Sequence, residues 1–296
     1  MGKRKSLKDA DNDVSMSGQH GDDDSGSDSD TDLVNVEFEW FDPQPDVDFH
    51  GLKTLLRQLL DTDAQLFDMS ALADLILAQP LLGSTVKVDG KETDPYAFLS
   101  VINLKEHKDK QVIQDLIKYL SQKSSSTPAL SALSQLLSKS DTPAIGLILT
   151  DRLINIPVQV IPPMYTMLLE EIAWAIEDKE PYTFTHYLIL SKTYDEVESK
   201  LDAEESRPQK KKKKTAATGG KLDTMFYFHP EDEVLEKYSL CHATFEYTNK
   251  QAEGAADSKR AFQELGIKPA GSLMLIEAGK FEEAVKAITE YVNAPI

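Results

Sequence analysis

From Ile145 to Leu149 the chain reads Ile-Gly-Leu-Ile-Leu with no polar interruption. A strand half in water would alternate, so a continuous short run bordered by Gly and Pro suits a strand buried on both faces. Thr150-Asp151-Arg152 place polar and charged groups at its end, and a second apolar stretch, Leu153 to Ile161, closes on Pro162-Pro163. Proline is harmless in the first helical turn, whose N–H groups have no intrahelical partner. The spacing then predicts a helix from Pro163 to about Asp178, with Met164, Leu168, Ile172 and Ala175 on one face. Strand, crossover and helix are expected at the middle of the main sheet.

The same reading gives elements on either side. Alternation over Leu33 to Phe41 predicts a half-buried strand, stopped at Asp42-Pro43-Gln44-Pro45. Asp48 is placed to cap a helix whose apolar face is Leu52, Leu55, Leu56, Leu59 and Leu60. A short helix over Met69 to Ala78 follows, then strands over Ser84 to Val88 and Tyr96 to Leu104, with a turn at Asp89-Gly90. His107 to Gln122 has helical spacing, and Ser124-Ser125-Ser126 separate it from a weaker helix, Leu130 to Leu137. Phe184 to Leu190 is rich in strand formers. Strands over Met225 to Phe228 and Ala243 to Tyr247 flank a helix over His229 to Tyr238. A short helix over Ser258 to Leu265, a buried strand over Gly271 to Ile276 and a helix over Lys280 to Val292 complete the chain. Strands and helices alternating in this way predict an α/β fold, a mixed sheet with helices on both faces.

Two segments carry no such pattern. Residues 1–32 open on Lys3, Arg4, Lys5 and Lys8 and then hold nine Asp from Asp9 to Asp32 with no Lys or Arg among them. With so little apolar surface to offset ordering entropy, this reads as a disordered acidic tail. Asp22, Asp23, Asp24, Asp28, Asp30 and Asp32 are its candidate contacts to a basic partner, against the plainer role of a solubilising leader. Ser25, Ser27 and Ser29 each precede an Asp by three residues, a spacing that suits acidophilic kinases and would add further negative charge. Residues 198–223 form a second break, centred on Lys210, Lys211, Lys212, Lys213 and Lys214. Like charges with nothing apolar beside them predict an exposed insert. It is either a plain solvated loop or a nuclear localisation signal. Residues 33–296 are expected to form one domain around that insert.

Charge sharpens the picture. The chain carries −18 overall, and residues 33–296 alone hold 41 acidic against 28 basic residues. Such a body disfavours contact with nucleic acid phosphates and attracts basic partners. The single cysteine, Cys241, forms no internal disulfide, which suits cytosol or nucleus. No apolar core follows Lys3-Arg4-Lys5, and no apolar run nears the roughly 20 residues of a membrane span, so a soluble chain without a secretory leader is expected.

The sequence carries no recognised catalytic motif. Gly219-Gly220-Lys221 is followed by Leu222 and is no phosphate loop, and neither a dinucleotide turn nor a nucleophile elbow occurs. Asp9-Ala-Asp-Asn-Asp13 lacks the Gly and Glu that a calcium loop requires. Cys241-His242 fits core or strand surface better than a ligand pair, and Asp151 and Arg152 fit an ion pair fixing the strand end better than catalysis. Trp40 is expected to pack under the sheet edge. The residues point to no enzyme, no cofactor and no metal.

Three stretches together resemble the BCCIP family of nuclear proteins. They are Val36-Glu-Phe-Glu39 with Gly51 to Leu60; Gly146 to Pro157 with Pro163-Met-Tyr165; and Tyr187 to Thr193. The Leu-Ile-Asn-Ile-Pro block is the most specific, and the likeness extends over roughly 33–296. The resemblance implies a fold like that of GNAT-type acetyltransferases without their activity; the Gly-rich turn that holds the acetyl-CoA pyrophosphate in those enzymes is missing here. It further implies a chaperone for a basic large-subunit ribosomal protein, acting in large-subunit (60S) ribosome biogenesis. It also implies nuclear export of clients, including a lipid kinase, dealings with import and export receptors, and shuttling between nucleus and cytoplasm. In animals the family is tied instead to a breast-cancer susceptibility protein and a cyclin-dependent-kinase inhibitor, so a cell-cycle and DNA-repair scaffold is the first alternative. A cryptic CoA-dependent acyltransferase is the second.

Overall fold

The computed structural model describes residues 36–79, 82–139, 143–196, 225–249 and 267–294. In chain order the described elements begin with β1 (Glu39–Phe41), α1 (Pro45–Leu60), α2 (Met69–Leu77), β2 (Ser84–Lys87), β3 (Ala97–Asn103), α3 (Gln111–Ser126) and α4 (Ser131–Leu137). They continue with β4 (Ile145–Arg152), α5 (Ile161–Glu177), β5 (His186–Glu196), β6 (Met225–Tyr227), α6 (Glu231–Tyr238), β7 (Cys241–Phe245), β8 (Ile267–Glu277) and α7 (Ala278–Asn293). The helix expected over 258–265 lies outside the described residues.

The strands form one mixed sheet in the order β1-β2-β3-β4-β5-β8-β7, with β6 paired to β5. Only β4 and β5 run parallel, joined through the α5 crossover, and β4 holds the middle of the order as its apolar run predicts. All eight of its residues are buried. Side chains alternate across a strand, so its neighbours in sequence enter different cores. Leu147 and Leu149 face the cluster under α1 to α4, with Leu188, Leu190, Leu273 and Leu275. Ile148 faces the cluster under α5 to α7, with Ile189, Met274 and Ile276. The predicted stripe Met164, Leu168, Ile172 and Ala175 is buried on α5.

Several boundaries depart from expectation for identifiable reasons. Helix α1 starts at Pro45, three residues before Asp48, because proline is preorganised for the first turn. Asp48 is therefore no cap in the usual position: its Oδ2 accepts the Gln44 amide at 2.8 Å and its Oδ1 lies 2.5 Å from Lys87 Nζ, both groups fully buried. Of the first expected strand, 33–35 lie outside the described residues and the rest is paired only over Glu39–Phe41, where Trp40 donates from Nε1 to the Val160 carbonyl at 3.1 Å, so the indole packs at the sheet edge while staying partly exposed. Helix α3 begins only at Gln111, since Asn103 Oδ1 accepts the Lys105 and Glu106 amides and turns the chain after β3. It then runs through Ser124-Ser125-Ser126 rather than ending before them. Ser124 and Ser126 bond back to the carbonyls of Ser121 and Lys123, which keeps their hydroxyls satisfied inside the helix. Strand β5 continues to Glu196, well past Leu190, because β6 and β8 supply partners for its far half. No helix among the described residues is long and apolar enough to cross a membrane.

Candidate functional site

Strands β4 and β5 pair from Ile145↔His186 to Leu149↔Leu190 and then part. β4 continues through Thr150-Asp151-Arg152, still held by β3. β5 continues through Ser191-Lys192-Thr193 with β8 along its other edge, so β6 takes the edge that β4 leaves. In open α/β sheets, ligands bind in the crevice outside the carboxyl ends of the strands. That crevice is where this chain concentrates its buried charge.

Period-two alternation decides which charge enters which face. On the α1–α4 side, Leu149 and Leu190 are followed two residues on by Asp151 and Lys192, whose Nζ lies 2.8 Å from Asp151 Oδ2 and 3.1 Å from Oδ1. On the α5–α7 side, Arg152 forms a two-pronged pair with Glu231, the longer bond being 3.1 Å, and Ser191 Oγ donates to Asp232. Each core thus ends in its own polar cluster. The ion pair expected at this strand end forms, with partners distant in sequence. His229 lies between the two clusters, its Nε2 3.0 Å from Asp151 Oδ1 but out of line for a hydrogen bond, and its Nδ1 without a partner. Gln58 of α1 donates to the Arg152 carbonyl at 2.8 Å and accepts Lys192 Nζ at its own carbonyl at 3.3 Å, tying the helix end to the site.

Burial alone would raise the Asp151 carboxyl, but His229 and Lys192 outweigh it and hold it below the ordinary carboxylate range. For Asp232 the balance goes the other way: burial pushes it up to about 7, with Glu231 adding to the rise, against the opposing pull of His229, the Ser191 hydroxyl and Arg152. Burial also drives the Tyr165 phenol well above its usual range, with Asp232 and Glu231 reinforcing it. Charges this deep are costly unless paired and hydrogen-bonded, so the network holds positions rather than adding much stability.

In front of it lies a cleft of about 730 Å³, lined by Arg152, Lys192 and His229 together with Leu153, Ile154, Ile156, Val158, Phe228, Ile267 and Pro269. Its wall is mostly apolar with a few convergent polar groups, the make-up of a binding pocket. The Phe228 ring sits 5.4 Å from Lys192 Nζ.

A second buried carboxylate, Asp63, accepts Tyr119 Oη at 2.9 Å and the amides of Thr248 and Asn249 at 2.7 Å each, with Lys123 Nζ 3.7 Å away. It clamps the segment after β7 to the turn after α1. His242 is exposed on β7, 2.8 Å from Glu236, and Cys241 is half-buried, as strand-surface residues would be. Among the described residues no three His, Cys, Asp or Glu side chains converge to hold a metal.

Asp22, Asp23, Asp24, Asp28, Asp30 and Asp32, the serines Ser25, Ser27 and Ser29, and Lys210 to Lys214 lie outside the described residues. Sequence reasoning did mark Asp151 and Arg152, and missed Lys192, His229, Glu231 and Asp232. The one available signal was the abrupt charge after each of two apolar runs, Leu149 and Leu190.

The architecture defines a mixed α/β protein, and it is shared with the crystal structure of BCP1 from Saccharomyces cerevisiae, at a TM-score of 0.60 and 28% identity over 90% of this chain and 93% of that one. The BCCIP family model matches residues 33–235. Protein bcp1 of Aspergillus fumigatus is 67% identical over the whole of both chains, and Protein bcp1 of Schizosaccharomyces pombe is 50% identical over 90% of this chain and 93% of that one. The chain belongs to the BCCIP family.

Proposed function

We propose that this chain is a non-enzymatic, acidic nuclear chaperone and transport adaptor for a basic large-subunit ribosomal protein. In this reading it supports 60S biogenesis and takes part in nuclear export, including that of a lipid kinase. The carrying observation is the charge of residues 33–296, 41 acidic against 28 basic, in addition to the nine Asp of 1–32. Complementary charge speeds encounter, selects the partner and shields a protein that otherwise clings to RNA. Membership of a family whose relatives match along the whole chain supports transferring one role across it.

The test is direct. The immobilised full chain is given the proteins extracted from purified large ribosomal subunits, and retained proteins are identified and quantified. One basic protein should be held stoichiometrically near 0.1 M salt and lost progressively toward 0.5 M, where screening extends over only a few ångström. Retention that ignores salt, or no retained ribosomal protein, overturns the reading. Purification from cells in which kinase inhibitors or recombination mediators are instead the stoichiometric partners would favour the cell-cycle and repair scaffold.

A likeness to GNAT-type acetyltransferases is supported by the run of antiparallel strands ending in one parallel pair joined through a crossover helix. Retained acyl transfer has observations against it. The segment 153–160 between β4 and α5 contains no glycine. The helix that follows begins Ile161-Pro162-Pro163, and its two prolines offer no N–H to a pyrophosphate. The edge of β5 beyond Leu190 is already occupied by β6. Both cleft cations are matched to carboxylates.

A further inference from the structure

Resting on the reading of a basic protein client, we propose that the cleft at the parted ends of β4 and β5 is where that client anchors. A bulky apolar side chain enters the cleft, and an N–H donor beside it, from a basic side chain or the backbone, bonds to His229. Three observations converge on this occupant. Ile154, at the mouth, is 86% exposed although it continues an apolar wall formed by Ile156, Val158, Phe228 and Ile267. Buried apolar anchors in such pockets dominate protein interfaces. Arg152 and Lys192 face the cleft but are already paired with Glu231 and Asp151, so among the described lining residues no Lys or Arg is left uncommitted for a phosphate or carboxylate ligand. The ligand it suits is neutral or cationic, the sign that the acidic body as a whole attracts.

His229 supplies the third observation. It lines the cleft, is only 5% exposed, and its Nδ1 has no partner among the described residues. Nε2 lies 3.0 Å from Asp151 Oδ1, and in the tautomer that places the ring proton on this nitrogen Nδ1 is an acceptor facing the cleft without a partner among the described residues. A buried acceptor left unpaired is unfavourable, and a donor arriving with the client relieves it. The cleft therefore asks for an apolar group next to an N–H, which a basic peptide segment provides.

The experiment uses the full chain, the proteins extracted from purified large subunits, and two charge-matched variants. Ile154→Arg puts a cation at the mouth of the cleft; Ile176→Arg puts the same charge on the outer part of α5, where the residue is 42% exposed and lines no part of the cleft. Melting curves confirm that both fold. Ile154→Arg should weaken binding of the retained basic protein at least tenfold at both 0.1 M and 0.5 M salt, while Ile176→Arg changes it by less than threefold. Equal effects of the two variants would mean that only net charge matters, and would overturn the cleft while leaving the acidic-chaperone reading intact. Displacement of the client by millimolar acetyl-CoA would assign the cleft to a cofactor and overturn it as well. No basic protein bound by the unmodified chain would bring down the chaperone reading, and the cleft proposal with it.

Discussion

Glu171 on α5 accepts the Gly83 amide at 2.7 Å and so ties the helix to the turn that enters β2. Gly83 has φ +103, and a Cβ there would lie 2.5 Å from the Leu99 carbonyl, so the amide is held where only glycine fits. Burial pushes the Glu171 carboxyl up to about 7; the Gly83 N–H opposes the rise, and Asp42 and Glu170 add to it. An unfolded glutamate titrates near 4.3. Between roughly pH 4 and 7 the folded chain thus keeps a proton that the unfolded chain has lost, and stability falls as pH rises. The contribution is complete below the unfolded value and is gone above the folded one. Glu171→Gln removes this dependence while retaining an acceptor for Gly83. The melting-temperature advantage of the unmodified chain over Glu171→Gln should shrink by a few degrees between pH 5 and pH 8 and then level off. A constant gap across that range would show that the carboxyl titrates normally. Single residues of this kind are the least legible from sequence. Gly271 reads as one more strand glycine, yet Phe245 covers it so closely that a Cβ would fall 2.2 Å from the ring. Neither fact has any local signature.

Elements are far more legible, and β4 shows why. A strand buried on both faces cannot alternate, so Ile145 to Leu149 announces itself, and α5 follows from a stripe spaced at one helical turn. What the sequence hides is the polar ending of that strand. Asp151 finds Lys192 41 residues later, and Arg152 finds Glu231 79 residues later. No spacing rule reaches that far. Serine-rich ends mislead for a related reason: α3 extends to Ser126 because Lys123 is buried, donating to the Glu246 carbonyl, and so its last turn is fixed by tertiary contacts. The clusters at the ends of β4 and β5 can be tested as units. Lys192→Met leaves Asp151 buried without its main cation and should lower unfolding free energy by about 3–5 kcal/mol. Adding Asp151→Leu should restore most of that loss, since replacing both members of a buried pair with apolar groups is often neutral. Denaturant titrations of the two variants measure both effects. A double variant no more stable than Lys192→Met would mean that the carboxylate is needed for more than its partner, with His229 the group to examine next.

For the whole molecule, charge is the property read most directly, because it is a sum over residues and needs no knowledge of fold. Lys210 to Lys214 are opposite in sign to the chain that surrounds them, and in the proposed function the acidic residues would hold the basic client while this run is offered to an acidic import receptor. Replacing those five lysines with alanine should leave a fluorescent fusion of the full chain in the cytoplasm, with client binding from extract unchanged. Undiminished nuclear accumulation would remove the run from the import mechanism.

The way β5 passes into β6 has a consequence for how this family can change. Strand β5 ends at Glu196 and β6 begins at Met225, and Asp195 and Met225 face each other across the ladder. Whatever is written between those points begins and ends one strand spacing apart. The entropy of closing such a segment grows only with the logarithm of its length, about 0.6 kcal/mol per doubling. On loop-closure entropy alone, lengthening the connection between Glu196 and Met225 therefore costs the sheet little. A peptide tag, or a reporter domain whose own ends lie close together, inserted between those two points should leave the β5–β6 pairing and the cleft as they are, which a melting curve of the insertion variant checks.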